Sequence, residues 1–142
     1  MPSADHLIQA LPQVTLRHWR PVEISAIRSD SRAVQPGDLF VAIPGVSVDG
    51  HQFVADALRR GAAACVVERL LPELEGAPTA IVPDARLALA HLHAAWQGHP
   101  ARRLKVIGIT GTDGKTTTTR LISSILRAAG YATASVDTVA AT

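Results

Sequence analysis

A glycine-rich stretch that ends in Gly-Lys-Thr carries the clearest chemistry in this sequence. Residues 108–119 read Gly-Ile-Thr-Gly-Thr-Asp-Gly-Lys-Thr-Thr-Thr-Thr. An apolar run typical of a strand, Leu104–Ile109, leads into it, and a helical pattern follows from Lys115 to about Ala129. In phosphate-binding loops of this layout, backbone N–H groups and a lysine face the phosphates, and a hydroxyl binds Mg²⁺. The stretch therefore predicts a nucleoside triphosphate site.

Two charged residues of this stretch need separate interpretation. Lys115 lies in the first helical turn, where a cation opposes the helix dipole, so an anion facing it would explain its presence. The carboxylate of Asp113 would repel a polyphosphate, and its chemistry favours a role in the turn and in capping the helix. The spacing also departs from the usual G-x-x-x-x-G-K-[ST] pattern, because Ile109 stands where that pattern has glycine.

Composition limits the class of protein that can position such a site. The chain has 142 residues, of which 47% are apolar and 4% aromatic, so it can bury an aliphatic core. Its single cysteine, Cys65, excludes an intrachain disulfide and is expected to be a buried strand residue. No signal segment and no apolar run of about 20 residues is present. The net charge is +2, with no basic cluster interleaved with aromatics. We therefore expect a cytoplasmic protein that binds neither membrane nor nucleic acid.

The order of patterns predicts an α/β fold. Strands are predicted at 24–29, 39–43, 62–67 and 79–82, with helices capped by Asp49 and Asp84. Ser3 is a candidate cap for a short first helix. Strand, helix, strand around Asp49 forms a βαβ unit, and Gly98 with Pro100 marks a domain boundary. A second βαβ unit follows, from Leu104–Ile109 through the loop and its helix to a strand at 131–136.

Outside the loop, the chemistry-bearing residues are weaker signals. Asp30-Ser31-Arg32 joins a carboxylate, a hydroxyl and a guanidinium just after a strand, a set that suits diphosphate recognition but also occurs in surface turns. For His51, a ligand contact and a surface histidine at a helix start are both open. His91 and His93 lie two apart on a helix, so they face different sides and make no metal pair.

Two segments together resemble the Mur ligase family. The first runs from Asp30 to Ala42 and continues with Gly45, Asp49-Gly50-His51 and Gly61-Ala62. It is similar to the N-terminal uridine-nucleotide-binding domain of the MurE and MurF types. The second, residues 108–119, is similar to the ATP loop that opens the family's central domain. The threonine run that ends at Thr119 resembles the MurE type, and Arg120 follows where MurF types often have a Lys-Glu pair. Asp113 replaces a usual asparagine, and Asp137-Thr138-Val139 stands where Gly-Thr-Val is common.

The resemblance implies a fold and a reaction. Residues 1–98 would form a small N-terminal UDP-sugar-binding α/β domain, and residues 99–142 the truncated start of a P-loop central domain. MurE-type ligases use ATP to form an acyl phosphate on UDP-N-acetylmuramoyl-L-alanyl-D-glutamate, which the amine of diaminopimelate or lysine then attacks. Carried over by position, Ser31 and Arg32 would help hold the UDP-sugar, Lys115 would be catalytic, and Thr116 would bind Mg²⁺. ATP would be held by Gly111, Thr112, Asp113, Gly114, Lys115, Thr116 and Thr117.

The resemblance also sets expectations about what the chain does alone. The family's acidic Mg²⁺ ligand, carbamylated lysine and amino-acid-binding domain would lie beyond residue 142, so we expect an inactive N-terminal fragment and a monomer. Two alternatives stay open: a non-catalytic module that binds a nucleotide for a partner chain, and a MurF-type ligase.

Overall fold

The computed structural model describes residues 3–137. The contacts within the chain divide it into two units, Met1–Arg103 and Leu104–Thr142, and each is described by itself. Residues 138–142, the last of the predicted second domain, lie outside the described residues. They include Thr138 and Val139 of the Asp137-Thr138-Val139 motif.

The first unit is built on a five-stranded sheet, which confirms the predicted α/β class. The strands are β1 (Thr15–Arg17), β2 (Ile27–Arg28), β3 (Leu39–Val41), β4 (Ala64–Val67) and β5 (Thr79–Ile81). Their spatial order is β1-β5-β4-β3-β2. β2 to β5 are parallel neighbours, and β1 pairs antiparallel with β5. The carboxyl ends of four successive strands therefore meet at one edge.

Three helices cover the sheet: α1 (Ala4–Ile8), α2 (Val54–Arg59) and α3 (Ala85–Trp96). Alternate residues of each strand point to opposite faces, so a central parallel strand needs apolar residues throughout. Leu39, Val41 and Val66 pack in one cluster with residues of α1 and α3. Phe40 and Cys65 pack in the other with residues of α2. The sheet is thus a middle layer between helices.

Capping residues explain where these helices begin and end. Asp84 accepts a hydrogen bond from Leu87 N at 2.9 Å, which confirms it as the cap of α3. Ser3 caps α1 by accepting from His6 N at 3.3 Å. Gly61 follows α2 with a φ of +96°, a conformation that glycine adopts without strain, and Ala62 N donates to Ala57 O at 3.0 Å. Asp49 caps a 3-10 turn, Gly50–Phe53, rather than the α-helix itself.

The four strands predicted in the first unit are confirmed in place but are shorter than their apolar runs, and β1 was missed. Its residues are all exposed, because β1 is an edge strand that lies against β5 without burying a face. Such a strand lacks the apolar alternation by which a strand is predicted from sequence. Cys65 is fully buried on β4, as expected, and burial raises the pKa of its thiol to about 12.

Among the described residues of the second unit, 104–137, the structure has one helix, α4 (Lys115–Ala128), which ends before Gly130 as predicted. The two strands predicted beside it are wrong: residues 105–110 form no strand, and in 131–137 only Val136 makes a bridge. An isolated strand leaves its backbone N–H and C=O groups without a neighbour, whereas a helix satisfies them internally. No α4 residue is buried, and Leu121 and Ile125 on its predicted apolar face are 59% and 67% exposed.

Candidate functional site

The loops at the carboxyl edge of the parallel sheet carry a set of polar and charged side chains. Asp30-Ser31-Arg32 follows β2, the loop Pro44–Asp49 follows β3, Glu68 and Arg69 follow β4, and Asp84 follows β5. In open α/β sheets, ligands bind in the crevice outside the carboxyl ends of the strands. This edge is therefore the candidate ligand site of the first unit.

Arg32 presents an oriented cation at this edge. It lies in a 3-10 turn, Ser31–Ala33, that Asp30 caps by accepting from Arg32 N at 3.0 Å. The guanidinium donates to the same carboxylate through Nε at 3.0 Å and Nη2 at 2.8 Å. These hydrogen bonds lower the pKa of Asp30 to about 2. The Arg32 side chain is 83% exposed, so its remaining donors are open to a ligand anion.

Ser31, the other residue predicted to hold a UDP-sugar, faces inward. It is 5% exposed, and the turn that carries it packs on α2. The pKa of Asp56, on α2, is lowered first by a hydrogen bond from Arg60 and further by one from Ser31. The structure thus places Ser31 and Arg32 in one turn but gives them different surroundings: Ser31 fastens the turn to α2, and Arg32 points outward.

His51 fits neither of the two interpretations offered by the sequence, because it is neither a surface histidine nor an open ligand contact. Its side chain is 1% exposed. Nδ1 lies 2.7 Å from Asp49 Oδ1, and Nε2 accepts from Glu68 N at 3.0 Å. The residues before His51 form a tight loop in which Gly45 N donates to Val48 O and Gly50 N to Ile43 O. A buried histidine with both ring nitrogens bonded is part of the scaffold of this edge.

Three further residues at the edge were missed by sequence reasoning. Arg69 Nη2 donates to Asp49 Oδ2 at 2.6 Å, and Arg86 Nη2 donates to Pro44 O at 3.1 Å. Glu68 Oε1 accepts from Ala85 N at 2.8 Å, at the start of α3. Their only signal in the sequence is position: each follows the end of a strand, or begins the helix after one.

The glycine-rich loop of the second unit opens α4 as its sequence predicts. Gly114 is the N-cap, with φ of +73°, and no side chain caps the helix there. An added Cβ at Gly114 would meet nothing within 4 Å, so its left-handed backbone, not lack of space, explains the glycine. The N–H groups of the first turn are consequently available to an anion.

The side chain of Lys115 hydrogen-bonds to the main chain of its own loop. Its Nζ donates to Gly111 O at 2.6 Å and to Thr112 O at 3.1 Å. Both acceptors are exposed main-chain carbonyls, which a phosphate oxygen can replace as partners of the ammonium group. Asp113 does not cap α4, so that prediction is wrong: the left-handed Gly114 takes the cap position instead.

The start of α4 has the groups that could bind the phosphates of a nucleotide. A threonine hydroxyl beside them could bind a metal ion held by those phosphates. A glycine N-cap, a lysine in the first turn and Thr116 beside it supply the donors and the hydroxyl that such a ligand needs. Within residues 3–137, no group of three or more His, Cys, Asp or Glu side chains is placed to hold a metal ion by itself. None of the helices in the same residues is long and apolar enough to cross a membrane.

A groove on the first unit brings together three histidines from different parts of the chain. His6 of α1, His91 of α3 and His99 line an open space of about 600 Å³ together with Arg102. His93 is absent from this lining, in agreement with the prediction that His91 and His93 face different sides. The groove contains none of the residues predicted for nucleotide or sugar binding.

Two family models match the chain in the same order as the two units. The first family model, described as "Mur ligase family, catalytic domain", matches residues 23–97, more than half of the chain. The second, described as "Mur ligase middle domain", matches residues 109–141, which include Gly111 to Thr119 of the glycine-rich loop.

Curated relatives agree with these matches. The chain is 52% identical over 127 residues to a UDP-N-acetylmuramyl-tripeptide synthetase of Roseiflexus sp., covering 86% of this chain and 25% of the relative. It is 44% identical to a UDP-N-acetylmuramoyl-L-alanyl-D-glutamate–2,6-diaminopimelate ligase of Geobacillus thermodenitrificans, covering 94% and 27%. The chain therefore spans about a quarter of the length of these relatives.

Solved structures support the same assignment. A crystal structure of MurF from Acinetobacter baumannii superposes with a TM-score of 0.66 at 35% identity, covering 90% of this chain and 28% of that one. MurF of Thermotoga maritima in complex with ADP gives a TM-score of 0.55 at 33% identity, covering 72% and 23%. Matches of sequence, fold and motif order coincide over the same residues, and the chain belongs to the Mur ligase family.

Proposed function

We propose that this chain is the nucleotide-binding N-terminal part of an ATP-dependent ligase of peptidoglycan precursor synthesis. The observation that carries the proposal is the succession of two sites in one chain. A sheet edge that presents Arg32 comes first, and a loop with Lys115 at a helix N-terminus follows. Both lie within the family matches. We place the boundary between the two proposed domains between residues 98 and 99. The protein is proposed to work in the cytoplasm.

The first domain is proposed to hold the UDP-sugar at the carboxyl edge of its sheet. A diphosphate carries negative charge and several acceptor oxygens, and the exposed guanidinium of Arg32 offers donors already held in place by Asp30. Ser31 contributes by fixing the turn that carries Arg32 to α2. The substrate proposed is UDP-N-acetylmuramoyl-L-alanyl-D-glutamate.

The loop of the second unit is proposed to bind ATP. Gly111, Thr112, Gly114 and Thr117 would surround the phosphates with backbone donors, Asp113 lies within the same loop, and Lys115 would leave its two carbonyl partners for phosphate oxygens. Thr116 would hold Mg²⁺ through its hydroxyl, and the metal when bound neutralises phosphate charge. Transfer of a phosphoryl group to the D-glutamate side chain would be stabilised by the positive charge of Lys115. The ADP complex of the Thermotoga maritima relative supports an adenine nucleotide.

A MurE-type reaction is proposed ahead of a MurF-type one, with a monomer as the working unit. The two curated relatives named above are 52% and 44% identical and carry tripeptide synthetase and diaminopimelate ligase names. The MurF structures are 35% and 33% identical. The threonine run after Lys115 also resembles the MurE type. The amino acid added would be diaminopimelate or lysine.

Calorimetric titration of the chain with two UDP-sugars tests the proposal. We expect UDP-N-acetylmuramoyl-L-alanyl-D-glutamate to bind and the corresponding UDP-tripeptide to bind more weakly. Arg32→Ala should weaken binding, whereas Arg17→Ala should not. Arg17 is the matched control because it lies on the edge strand opposite β2 and pairs with Thr79 at the amino end of β5.

Preference for the UDP-tripeptide would instead favour a MurF-type ligase, and binding of neither sugar would contradict the proposal. The second candidate is a non-catalytic module that binds a nucleotide for a partner chain. ATP-dependent amide formation by the 142 residues alone would contradict that second candidate.

A further inference from the structure

His51 joins two loops at the carboxyl edge of the sheet. It stands in the turn that follows β3, and its ring reaches the residue that follows β4. One ring nitrogen, Nδ1, contacts Asp49 Oδ1 at 2.7 Å, and the other, Nε2, contacts the main-chain N of Glu68 at 3.0 Å. Only 1% of the His51 side chain is exposed, so water has little access to the ring.

These two contacts determine which ring nitrogen carries the proton. The main-chain N–H of Glu68 can only donate, so Nε2 must accept with a lone pair. The proton of the neutral ring therefore lies on Nδ1 and is donated to the carboxylate of Asp49. The pKa of Asp49 is held well below its usual range, first by the hydrogen bond from Arg69 and then by those from His51. Asp49 thus stays an acceptor at neutral pH.

The bonds of His51 belong to a larger set that ties three strand ends together. Arg69, after β4, donates to Asp49 at 2.6 Å. Glu68 accepts a hydrogen bond from Ala85 N, which follows β5. Arg86 Nη2, in the same helix start, donates to Pro44 O at 3.1 Å. The loop Pro44–Asp49 is therefore fastened at both ends, while Val46 between them is fully exposed. A fastened loop with an exposed tip loses little conformational freedom when it contacts a ligand.

We propose that His51 is a positioning residue for the UDP-sugar: its Nδ1-protonated ring holds the loop Pro44–Asp49 in the conformation that receives the substrate. The inference rests on the proposed function, because it assigns the ligand of this edge. His51 does not touch the substrate itself. It acts through Asp49 and through the main chain of Glu68, which fix the two sides of the loop.

The ring tautomer tests the first half of the proposal without any substitution. Nitrogen-15 NMR of the imidazole in the wild-type chain should show the proton of His51 on Nδ1, with Nε2 unprotonated and coupled to the Glu68 amide. A ring protonated on Nε2 would overturn the inference, because that nitrogen could no longer accept from Glu68.

Substitutions test the second half. His51→Leu fills the space but makes neither bond, so the affinity for UDP-N-acetylmuramoyl-L-alanyl-D-glutamate should fall at least about 10-fold in calorimetry. His51→Gln supplies one acceptor and one donor and should recover most of that loss. His93→Gln, on the exposed side of α3, should bind as the wild type.

A control for plain destabilisation separates positioning from stability. Leu92→Ala removes a fully buried side chain of α3 and should lower the melting temperature while leaving the affinity unchanged below it. Equal affinity for wild type, His51→Leu and His51→Gln would overturn the inference and leave the proposed function standing. If His51→Leu does not fold, His51→Gln and the tautomer decide. A wild-type chain that binds no UDP-sugar would contradict the proposed function, and with it the assignment of His51.

Discussion

At the scale of single residues, the ionic contacts of the first unit hold charged groups in fixed positions at its surface. Asp30 illustrates this, because it both caps the turn of Arg32 and pairs with its guanidinium. The sequence identified Asp30-Ser31-Arg32 as chemistry-bearing residues, but it did not distinguish their roles. The structure does, since Ser31 is buried against α2 and Arg32 is 83% exposed.

The Asp30 pair predicts a pH dependence of stability. The pKa of Asp30 falls from 3.8 to about 2 through the hydrogen bonds of Arg32. A carboxyl whose pKa is depressed on folding stabilises the folded state above its unfolded pKa and loses this contribution as the pH falls through the folded one. Asp30→Asn should therefore be less stable than the wild type at pH 6, and the difference should shrink between pH 4 and 2.

Urea unfolding at several pH values measures this difference. Glu73→Gln, which removes an exposed carboxylate from the 3-10 turn Pro72–Leu74, controls for the general effect of losing a negative charge. A constant difference between Asp30→Asn and wild type from pH 6 to 2 would show that the ion pair does not contribute.

Lys115 carries the prediction for nucleotide binding. Its ammonium group now has two carbonyl partners, and we expect it to exchange them for phosphate oxygens. Lys115→Ala should weaken ATP binding about 10- to 100-fold, since a hydrogen bond to a charged group contributes about 1.5–3 kcal/mol. Fluorescence titration with a labelled ATP measures the change. Lys105→Ala, an exposed lysine of the same unit, should bind as the wild type, and equal losses in both variants would contradict a specific role.

At the scale of elements, α3 stabilises the first unit by packing on the sheet and on α1. Leu92 is fully buried in the cluster that these elements share, whereas Leu87 on the same helix is 49% exposed. Position in the helix, rather than residue type, thus decides the contribution of each leucine.

This pair of leucines gives a matched test. Leu92→Ala should lower the free energy of unfolding by about 2–5 kcal/mol, through lost burial and the cavity left behind. Leu87→Ala should change it by less than about 0.5 kcal/mol, as exposed positions do. Chemical denaturation measures both. Similar losses for the two variants would mean that α3 packs differently from its position in the structure.

At the scale of the whole molecule, the two units differ in how their backbones are satisfied. Strands β3 and β4 are central in the sheet and fully buried. Residues 105–110 belong to no strand, and most of their side chains are exposed. Local stability follows burial and hydrogen bonding, so it should be distributed unevenly along the chain.

Amide hydrogen exchange should report this difference. We expect the amides of Leu39–Val41 and Ala64–Val67 to exchange slowly, by opening of the whole first unit. Those of residues 105–110 should exchange within seconds at neutral pH, because no strand partner protects them. Mass spectrometry of the labelled chain resolves the two segments. Strong protection of residues 105–110 would reveal a strand partner that the structure does not show.

Much of the fold followed from local signals in the sequence. Asp84 and Ser3 cap the helices they were predicted to cap, and Gly61 and Gly130 end helices where a left-handed residue is needed. These predictions succeeded because caps and turns depend on a few neighbouring residues. β1 was missed and the strands at 104–109 and 131–136 were wrong, because strand formation depends on a partner that is distant in the chain.

The sequence by itself determined the α/β class of the first unit, the glycine-rich loop before α4 and the order of the two candidate sites. Backbone conformation, apolar periodicity and capping are local properties, so they can be read along the chain. Only the tertiary structure decided that His51 is buried between Asp49 and Glu68, and that Arg69 and Arg86 join the same sheet edge. Those contacts link residues up to 42 positions apart, and parallel pairing of the strands brings them together.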